Sequence, residues 1–229
     1  NKIIALNGAL NYEVLKNLKY RGTIGMRRRT MSNDLFYHSS SRQAINSGGA
    51  YAMLASYEYD VLQFNNTLTW NRNFKKIHKV DVMVGQEYYN QEYKYKSQTY
   101  TGFPEGNFGL NDVGLATNVD IPVSSIQSSR KLSFFGRANY NYDDKYLATL
   151  TFRADGSTKF SQDNKWAYFP AISLAWRASS EDFIKDLNIF SDLKVRASYG
   201  TTGSDNIPTY ASLDMIKSTY KAFDNTVQS

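Results

Sequence analysis

Few side chains in this chain are of the types that carry out covalent chemistry or bind metals. None of the 229 residues is cysteine, which excludes disulfides, thiolate zinc sites and cysteine nucleophiles. The two histidines, His38 and His78, lie far apart without metal-ligand spacing, so we expect each to be structural or solvated. The sequence therefore predicts no metal site and no cofactor.

Three short motifs look like parts of active sites, and each has a simpler structural interpretation. The RADGS stretch, residues 153–157, lacks the spacing of a calcium loop, and its Asp-Gly pair is a turn signal. Glu181 and Asp182 are adjacent, so their side chains diverge, and Ser180 before them predicts the N-cap of a short helix. The GTTG stretch, residues 200–203, is too short for a phosphate-binding loop. Since no Ser/His/acid set is evident, we predict that the protein is not an enzyme.

Aromatic residues in a long polar stretch are the remaining candidates for a binding surface. The stretch from Ser97 to Ser129 is predicted to be a loop, and it contains Tyr100, Phe103 and Phe108. Aromatic rings stack on sugar rings, but on long loops they also pack the loop itself, and the sequence favours neither role. We predict these three residues as candidate substrate-binding residues.

The elements that would position such residues are β-strands, because apolar and polar side chains alternate with period two along most of the chain. The alternation is clearest from Leu132 to Tyr142, where Arg137 lies on the polar face. It recurs in the following segments: 4–14, 20–27, 57–74, 80–87, 146–153, 166–177 and 193–200. In segment 57–74, Asn66 and Arg72 interrupt the apolar face. The sequence predicts about eight or nine strands.

The predicted connections between these strands alternate in length. Short ones lie at 15–17, 73–78 and 142–145, and a longer one at 179–192 contains a helical turn. Long polar stretches are predicted at 32–56, 97–129, 155–165 and 201–220. One end of the sheet is therefore expected to be tight, and the other to carry loops, which are usually functional when they exceed roughly 15 residues.

Charge and hydropathy limit the function classes. The formal net charge is +6, but the basic residues are spread along the chain and interleaved with acids, apart from Arg27-Arg28-Arg29. A nucleic-acid surface would be denser, so no nucleic-acid partner is expected. No run approaches the roughly 18 apolar residues that a transmembrane helix needs.

Alternation alone fits a soluble β-sandwich as well as a membrane barrel, but three features favour the barrel. Aromatic residues lie at both ends of the apolar face. Charged residues such as Arg137 and Arg153 lie in mid-strand on the opposite face, as a wide polar lumen permits. The connections are short at one end of the sheet and long at the other, as in outer-membrane barrels with short periplasmic turns and long extracellular loops. We therefore predict an all-β fold, part of a large transmembrane antiparallel β-barrel in the outer membrane, in contact with its lipid.

Two long stretches carry a resemblance to a known family, and the match is good from residue 65 to residue 210. SFFGRANYNYDDKYLATLTFRADGSTKFSQDNKWAYFPAISLAWRASSEDF and SDLKVRASYGTTGSDNIPTY resemble the TonB-dependent outer-membrane transporters of the SusC/RagA type in Bacteroidetes. The resemblance implies energised uptake of oligosaccharides or peptides, a SusD-like surface lipoprotein as a lid, and contact with TonB through an N-terminal part.

The resemblance also bears on domain organisation. Large outer-membrane transporters have 22 strands around a plugged lumen. We expect residues 1–229 to be part of such a barrel domain, without the plug domain and the TonB-contacting segment. The alternative is a secreted β-sandwich that binds glycans, and a third possibility is a barrel enzyme, for which no convergent catalytic set is visible.

Overall fold

Nine antiparallel strands form one sheet in the computed structural model, which describes residues 1–106, 109–210, 221–223 and 226–228. The strands are β1 (Lys2–Leu15), β2 (Leu18–Tyr37), β3 (Tyr51–Phe74), β4 (His78–Thr101), β5 (Asn118–Val119), β6 (Val123–Tyr142), β7 (Tyr146–Ser157), β8 (Trp166–Arg177) and β9 (Lys194–Gly200). Their order in the sheet is β1-β2-β3-β4-β6-β7-β8-β9, and the short β5 pairs with the end of β4. Consecutive long strands are therefore neighbours throughout the sheet.

Helical structure is confined to the connections. The helices are α1 (Arg42–Asn46) and α2 (Asp182–Lys185), with single 3₁₀ turns at Leu110–Leu115, Gln162–Asn164 and Ala178–Ser180. Two three-residue strands, β10 (Lys221–Phe223) and β11 (Thr226–Gln228), pair with each other. Across the described ranges, no helix has the length and apolar character needed to cross a bilayer.

Three tight turns define one end of the sheet, which we call the turn end; the opposite end is the loop end. They connect β1 to β2, β3 to β4, and β6 to β7, as the sequence predicts. In the last of them, Asp143 and Asp144 have φ angles of 51° and 54°. Two consecutive left-handed residues give the twist of a hairpin turn, and aspartate tolerates this conformation better than most residues.

The strands extend farther toward the loop end than the sequence predicts. The connection predicted at 32–56 covers only residues 38–50, and the one predicted at 97–129 covers residues 102–122. The RADGS stretch lies in β7, which continues to Ser157, so the predicted turn at its Asp-Gly pair is wrong. Of the stretch predicted at 201–220, residues 211–220 lie outside the described residues. The extra strand length is stabilised by uninterrupted cross-strand pairing, which polar side chains permit.

The sheet has two faces, which we name by residue number. The even face carries the even-numbered residues of β1–β4 and β6–β8 and, because of the register between β8 and β9, the odd-numbered residues of β9. The odd face carries the others. Along β8 the even-face residues are exposed and the odd-face residues are half-buried, as expected if the odd face is concave.

The even face is not covered by a second sheet in the described part of the chain. Leu150, Ile172 and Val195, all on this face, are 55%, 42% and 55% exposed. In a β-sandwich these residues would be buried between two sheets. The single layer therefore excludes the sandwich alternative.

Candidate functional site

A broad band of apolar side chains crosses the even face near the turn end. On β3 it runs from Leu62 to Trp70, which at ordinary strand rise and tilt corresponds to a height of about 20 Å. Its exposed members include Leu6, Leu10, Ile24, Met26, Phe64, Val84, Leu150, Phe152, Ile172 and Leu174. So much exposed apolar area is costly in water and favourable against hydrocarbon.

Two polar residues interrupt the apolar even face of β3, Asn66 within the band and Arg72 beyond its edge, and the structure explains both. Asn66 accepts a hydrogen bond of 2.7 Å from the hydroxyl of Tyr20, whose ring lies over Gly22. A side chain at Gly22 would collide with that hydroxyl, so the glycine makes room for the bond. Arg72 lies close to the turn end with its guanidinium 4.9 Å from the centre of the Phe74 ring. Both polar groups therefore have partners within the face.

Aromatic side chains line both edges of the band, as the sequence predicts. Toward the turn end, Tyr142 and Tyr146 stack at 6.3 Å, and Trp70 and Phe74 lie at the same separation. Toward the loop end, the close pairs are Phe134 with Trp166 and Phe152 with Tyr168, each at 6.1 Å. Tyr and Trp concentrate in this way where a protein surface passes from hydrocarbon to water.

The odd face behind this band is polar and bound together by charges. The guanidinium of Arg153 donates to Glu87 at 3.0 Å and to Asp155 at 2.7 Å. Gln63 donates to the other oxygen of Glu87 at 3.2 Å. The Arg153 guanidinium also lies 5.4 Å from the centre of the Phe135 ring. Arg153 therefore links β7 to β4 on the odd face, which is the face predicted from the sequence to line the lumen.

The segment after β9 is attached to the same odd face. Asp205 pairs with Lys131 at 2.6 Å, and Lys159 donates to its backbone carbonyl at 3.1 Å. The main-chain amide of Ser128, at the edge of β6, donates to the hydroxyl of Tyr210 at 3.2 Å. Residues 201–210 thus lie against the concave side of the sheet instead of projecting away from it.

Beyond the band, toward the loop end, the polarity of the two faces reverses. We call this region, residues 28–37, 51–60, 92–101 and 123–130, the upper wall. The remaining residues of β1–β4 and β6–β9 are the bilayer part. The even face of the upper wall is mostly charged or polar: Arg28, Thr30, Ser32, Asp34, Ser56, Glu58, Asp60, Glu92, Lys94, Lys96 and Gln98. Its odd face carries large side chains: Met31, Leu35, Tyr37, Tyr51, Met53, Tyr57, Tyr59, Tyr93 and Tyr95.

The tyrosines on the odd face of the upper wall lie in two groups, which together we call the tyrosine face. The ring centres of Tyr57 and Tyr95 are 5.0 Å apart, and those of Tyr57 and Tyr93 are 6.4 Å apart. Farther up, Tyr37 and Tyr51 stack at 4.8 Å. Tyrosine offers a flat apolar ring and a hydroxyl that donates or accepts a hydrogen bond. Such a surface suits cargo with both apolar and polar faces, such as sugar rings or peptide side chains.

A known protein family matches almost the whole chain. The family described as "TonB dependent receptor-like, beta-barrel" matches residues 4–225. The chain belongs to this family. The match confirms the predicted all-β barrel fold. In a barrel of this kind an apolar outer face meets lipid and a polar inner face lines the lumen, which is the polarity of the even and odd faces of the bilayer part.

Two curated relatives are similar over most of the chain. TonB-dependent receptor P3 of Formosa agariphila is 30% identical over 213 residues, which are 91% of this chain and 21% of that protein. TonB-dependent receptor SusC of Bacteroides thetaiotaomicron is 32% identical over 190 residues, which are 76% of this chain and 18% of that protein. The chain therefore spans about a fifth of the length of these relatives.

A solved structure has the same fold. The barrel chain in the structure of the RagAB peptide transporter superposes with a TM-score of 0.83 and 20% identity, over 97% of this chain and 25% of that one. The predicted SusC/RagA resemblance is therefore confirmed. The sheet of this TonB-dependent receptor chain corresponds to part of a closed barrel wall.

At the turn end, which is periplasmic in such barrels, a carboxylate links three elements. Glu181 accepts hydrogen bonds from the Tyr146 hydroxyl at 2.7 Å, the Lys145 ammonium at 3.0 Å and the Trp176 indole at 3.3 Å. These bonds, first of all that from Tyr146, hold the pKa of Glu181 below its usual value. Glu181, not the predicted Ser180, is the N-cap of α2, and its side chain is engaged in these contacts instead of capping.

The structure separates the three aromatic residues predicted from the sequence to bind substrate. Tyr100 lies in β4 and not in a loop, on the even face, between Ala52 and Val119. Phe103 does lie in the connection, where its ring packs edge-on against Phe36 at 5.2 Å. Phe108 lies outside the described residues. Neither Tyr100 nor Phe103 is part of the tyrosine face, and their role in substrate binding stays a prediction.

Sequence reasoning missed the tyrosine face because it placed Tyr37 and Tyr51 in a loop and assigned no face to the tyrosines of residues 57–59 and 93–95. A signal was present in the chain: Tyr57 and Tyr59 flank Glu58, and Tyr93 and Tyr95 flank Lys94. Tyrosine alternating with charge has period two, which indicates a strand with one aromatic and one charged face.

Proposed function

We propose that this chain forms part of the wall of an energised nutrient importer of the outer membrane. The cargo is an oligosaccharide or a peptide, delivered beneath a SusD-like surface lipoprotein, and TonB supplies the energy. Support comes from the similarity to SusC and from the fold shared with the RagAB peptide transporter. Since the chain spans about a fifth of its relatives, we propose that the plug and the TonB contact lie in parts of the transporter outside these residues.

The observation that carries the proposal is the position of the tyrosine face. It lies on the concave side, above the charged odd face of the bilayer part, in the same strands β3 and β4. Cargo entering from outside would meet the tyrosine rings first and the Glu87, Arg153 and Asp155 network below them. An aromatic entry followed by a hydrated polar passage suits solutes that bind weakly and must then move on.

Uptake measurements on the full-length transporter test this proposal. Replacing Tyr57, Tyr93 and Tyr95 together with Ala is expected to lower uptake at low cargo concentration by about tenfold, since each lost ring contact contributes roughly 0.5–1.5 kcal/mol. The amount of transporter in the membrane should not change. The probes are a fluorescent pool of polysaccharide-derived oligosaccharides and one of tryptic peptides, which also identify the cargo class.

Two controls make the result specific. The matched variant with Tyr100→Ala and Phe103→Ala tests the residues predicted from the sequence, and we expect it to lower uptake less than the triple variant. Collapse of the proton gradient should abolish uptake of either pool if import is energised. Unchanged uptake in the triple variant would contradict the role of the tyrosine face, and uptake that survives gradient collapse would contradict energised import.

A further inference from the structure

The connection between β8 and β9 differs from the others at the turn end. This connection, residues 178–193, which we call the β8–β9 link, is far longer than the tight turns at 16–17, 75–77 and 143–145. It carries four large apolar side chains that are roughly half exposed or more: Phe183, Leu187, Ile189 and Phe190. Ile189 is 71% exposed. An apolar cluster of this kind on a short segment marks a surface with a partner.

The link is tied to the lipid-facing rim of the sheet. Tyr146 and Trp176 are cross-strand partners on the even face, and both donate to Glu181 at the start of α2. The other end of the link is closed by hydrogen bonds from Ser179 to the Leu193 carbonyl and to Asp192, both at 3.1 Å. The base of the link therefore lies directly at the aromatic edge of the band, where hydrocarbon gives way to headgroups.

The local conformation separates the apolar side chains from the charged ones. Helical hydrogen bonds run from Ile184 N–H to the Glu181 carbonyl and from Asn188 N–H to the Lys185 carbonyl. Phe183 in α2 and Leu187 one turn later have the i, i+4 spacing of one side of a helix. Asn188, with a φ angle of 49°, then ends the helical turns, and Ile189 and Phe190 follow it. Asp182 and Lys185 pair with each other at 3.3 Å and are exposed. Segments with apolar and charged sides bind at membrane interfaces.

We propose that the β8–β9 link lies in the interface of the periplasmic leaflet, with Phe183, Leu187, Ile189 and Phe190 inserted at the boundary between headgroups and acyl chains. Lipid is the occupant that the geometry favours, because the apolar cluster continues the lipid-facing band through Tyr146 and Trp176. The contact of the link with the odd face, the ion pair of Asp192 with Arg177, is longer, at 4.0 Å. In this position the link determines how deeply β8 and β9 lie in the bilayer.

Site-directed fluorescence on the full-length transporter tests the proposal. These 229 residues contain no cysteine, so Leu187→Cys and Ile189→Cys, made separately in a cysteine-free background, each carry one environment-sensitive label. The protein is placed in nanodiscs of phosphatidylethanolamine and phosphatidylglycerol that contain doxyl-labelled lipid. Leu174→Cys on the lipid-facing band and Lys76→Cys in the β3–β4 turn are the matched controls.

The expected result is a blue-shifted label at positions 187 and 189 that loses fluorescence with doxyl lipid, as at position 174, and is insensitive to aqueous iodide. Quenching by iodide to the extent seen at position 76 would overturn the proposal. So would labels that neither quencher reaches, since they would be buried against protein. A label at position 174 that doxyl lipid fails to quench would overturn the lipid-facing assignment itself, on which the inference depends.

Discussion

The bilayer part and the upper wall belong to the same strands but have opposite side-chain polarity. In β3 and β4 the register continues without a shift from Phe74 and His78 to Tyr51 and Thr101. In the bilayer part the even face is apolar and the odd face is charged, whereas in the upper wall the even face is charged and the odd face carries tyrosine and methionine. Backbone pairing therefore determines how long the strands are. Whether a face is apolar or charged at a given height depends on whether lipid or water surrounds the wall at that height.

The physical reason for the reversal is the change of solvent outside the wall. At the level of hydrocarbon, a charge on the outward face costs roughly 2–4 kcal/mol, so charges lie inside. Above that level both faces meet water, and the outward charges Arg28, Asp60 and Glu92 carry no such penalty. The inward face is then free to carry tyrosine rings. The following predictions test this contrast, in order of decreasing effect.

Adjacent residues at the centre of β8 give the largest contrast. Ile172→Arg places a charge on the lipid-facing side, and we expect it to lower the free energy of unfolding by roughly 2–4 kcal/mol. Ser173→Arg, on the lumen side, should lower it by less than about 1 kcal/mol, because the new charge remains hydrated. Equilibrium urea unfolding of the lipid-reconstituted transporter measures both. Equal losses would mean that the two faces do not differ in their surroundings.

Two glycines in neighbouring strands compare the packing of the two faces, Gly85 on the odd face and Gly136 on the even face. A Cβ at Gly85 would come within 2.5 Å of the Phe135 ring, which also contacts the Arg153 guanidinium, and within 3.0 Å of the Asn66 carbonyl oxygen. We expect Gly85→Ala to cost about 1–3 kcal/mol of stability.

The matched substitution is Gly136→Ala, whose Cβ would meet no atom closer than 3.6 Å. Because alanine restricts the unfolded chain and fits the strand, it should leave stability unchanged or raise it by about 0.5 kcal/mol. The same unfolding experiment compares the two variants, and a tolerated Gly85→Ala would show that Phe135 does not lie over Gly85.

Two arginine pairs compare the lumen with the exposed upper wall. Arg153→Ala leaves Glu87 and Asp155 without their shared cation on a partly shielded face, and it should cost roughly 1–2 kcal/mol. Arg28→Ala removes a single ion pair with Asp60 at 2.7 Å, in which the Arg28 side chain is 62% exposed. That loss should be below about 1 kcal/mol, and added salt should reduce it further. A larger loss of stability in Arg28→Ala than in Arg153→Ala would contradict the predicted difference between the upper wall and the lumen face.

The smallest expected effect is the pH response of the β8–β9 link. The bonds to Glu181 depress its pKa, so the carboxylate stabilises the link above the ordinary value of 4.5, and this contribution is lost as the pH falls through the lowered pKa. Hydrogen exchange of peptides covering 178–193, corrected for intrinsic rates, should show less protection at about pH 3.5 than at about pH 6. In Glu181→Gln, which keeps an acceptor but does not titrate, protection should vary less with pH than in the unchanged protein.

Parts of the wall could be predicted from the sequence because the face of a strand that contacts hydrocarbon must carry apolar side chains. In β6, β7 and β8, the alternation around Arg137, Arg153 and Arg177 gave the faces correctly. The turns at residues 16–17, 75–77 and 143–145, and the aromatic edges, were predicted as well. Each depends on local side-chain chemistry that holds wherever a strand meets lipid.

The upper wall and the candidate site could not be predicted in the same way. Above the membrane no solvent difference separates the faces, so the alternation is weak there, and residues 32–37, 51–56 and 97–101 were predicted as loops although they lie in β2, β3 and β4. The direction of Tyr100 depends on how far β4 continues its register with β3. The contact of Asp205 with Lys131 joins residues far apart in the chain.

The amino-acid sequence by itself determined that this protein is a barrel wall, which end is tight and which face meets lipid, because each of these follows from side-chain polarity at period two. Only the tertiary structure decided how far the strands extend beyond the membrane, that their inward side there is lined by tyrosine, and that residues 201–210 fold back onto the lumen face. Those features depend on cross-strand register and long-range contacts, in which residues distant in sequence become neighbours.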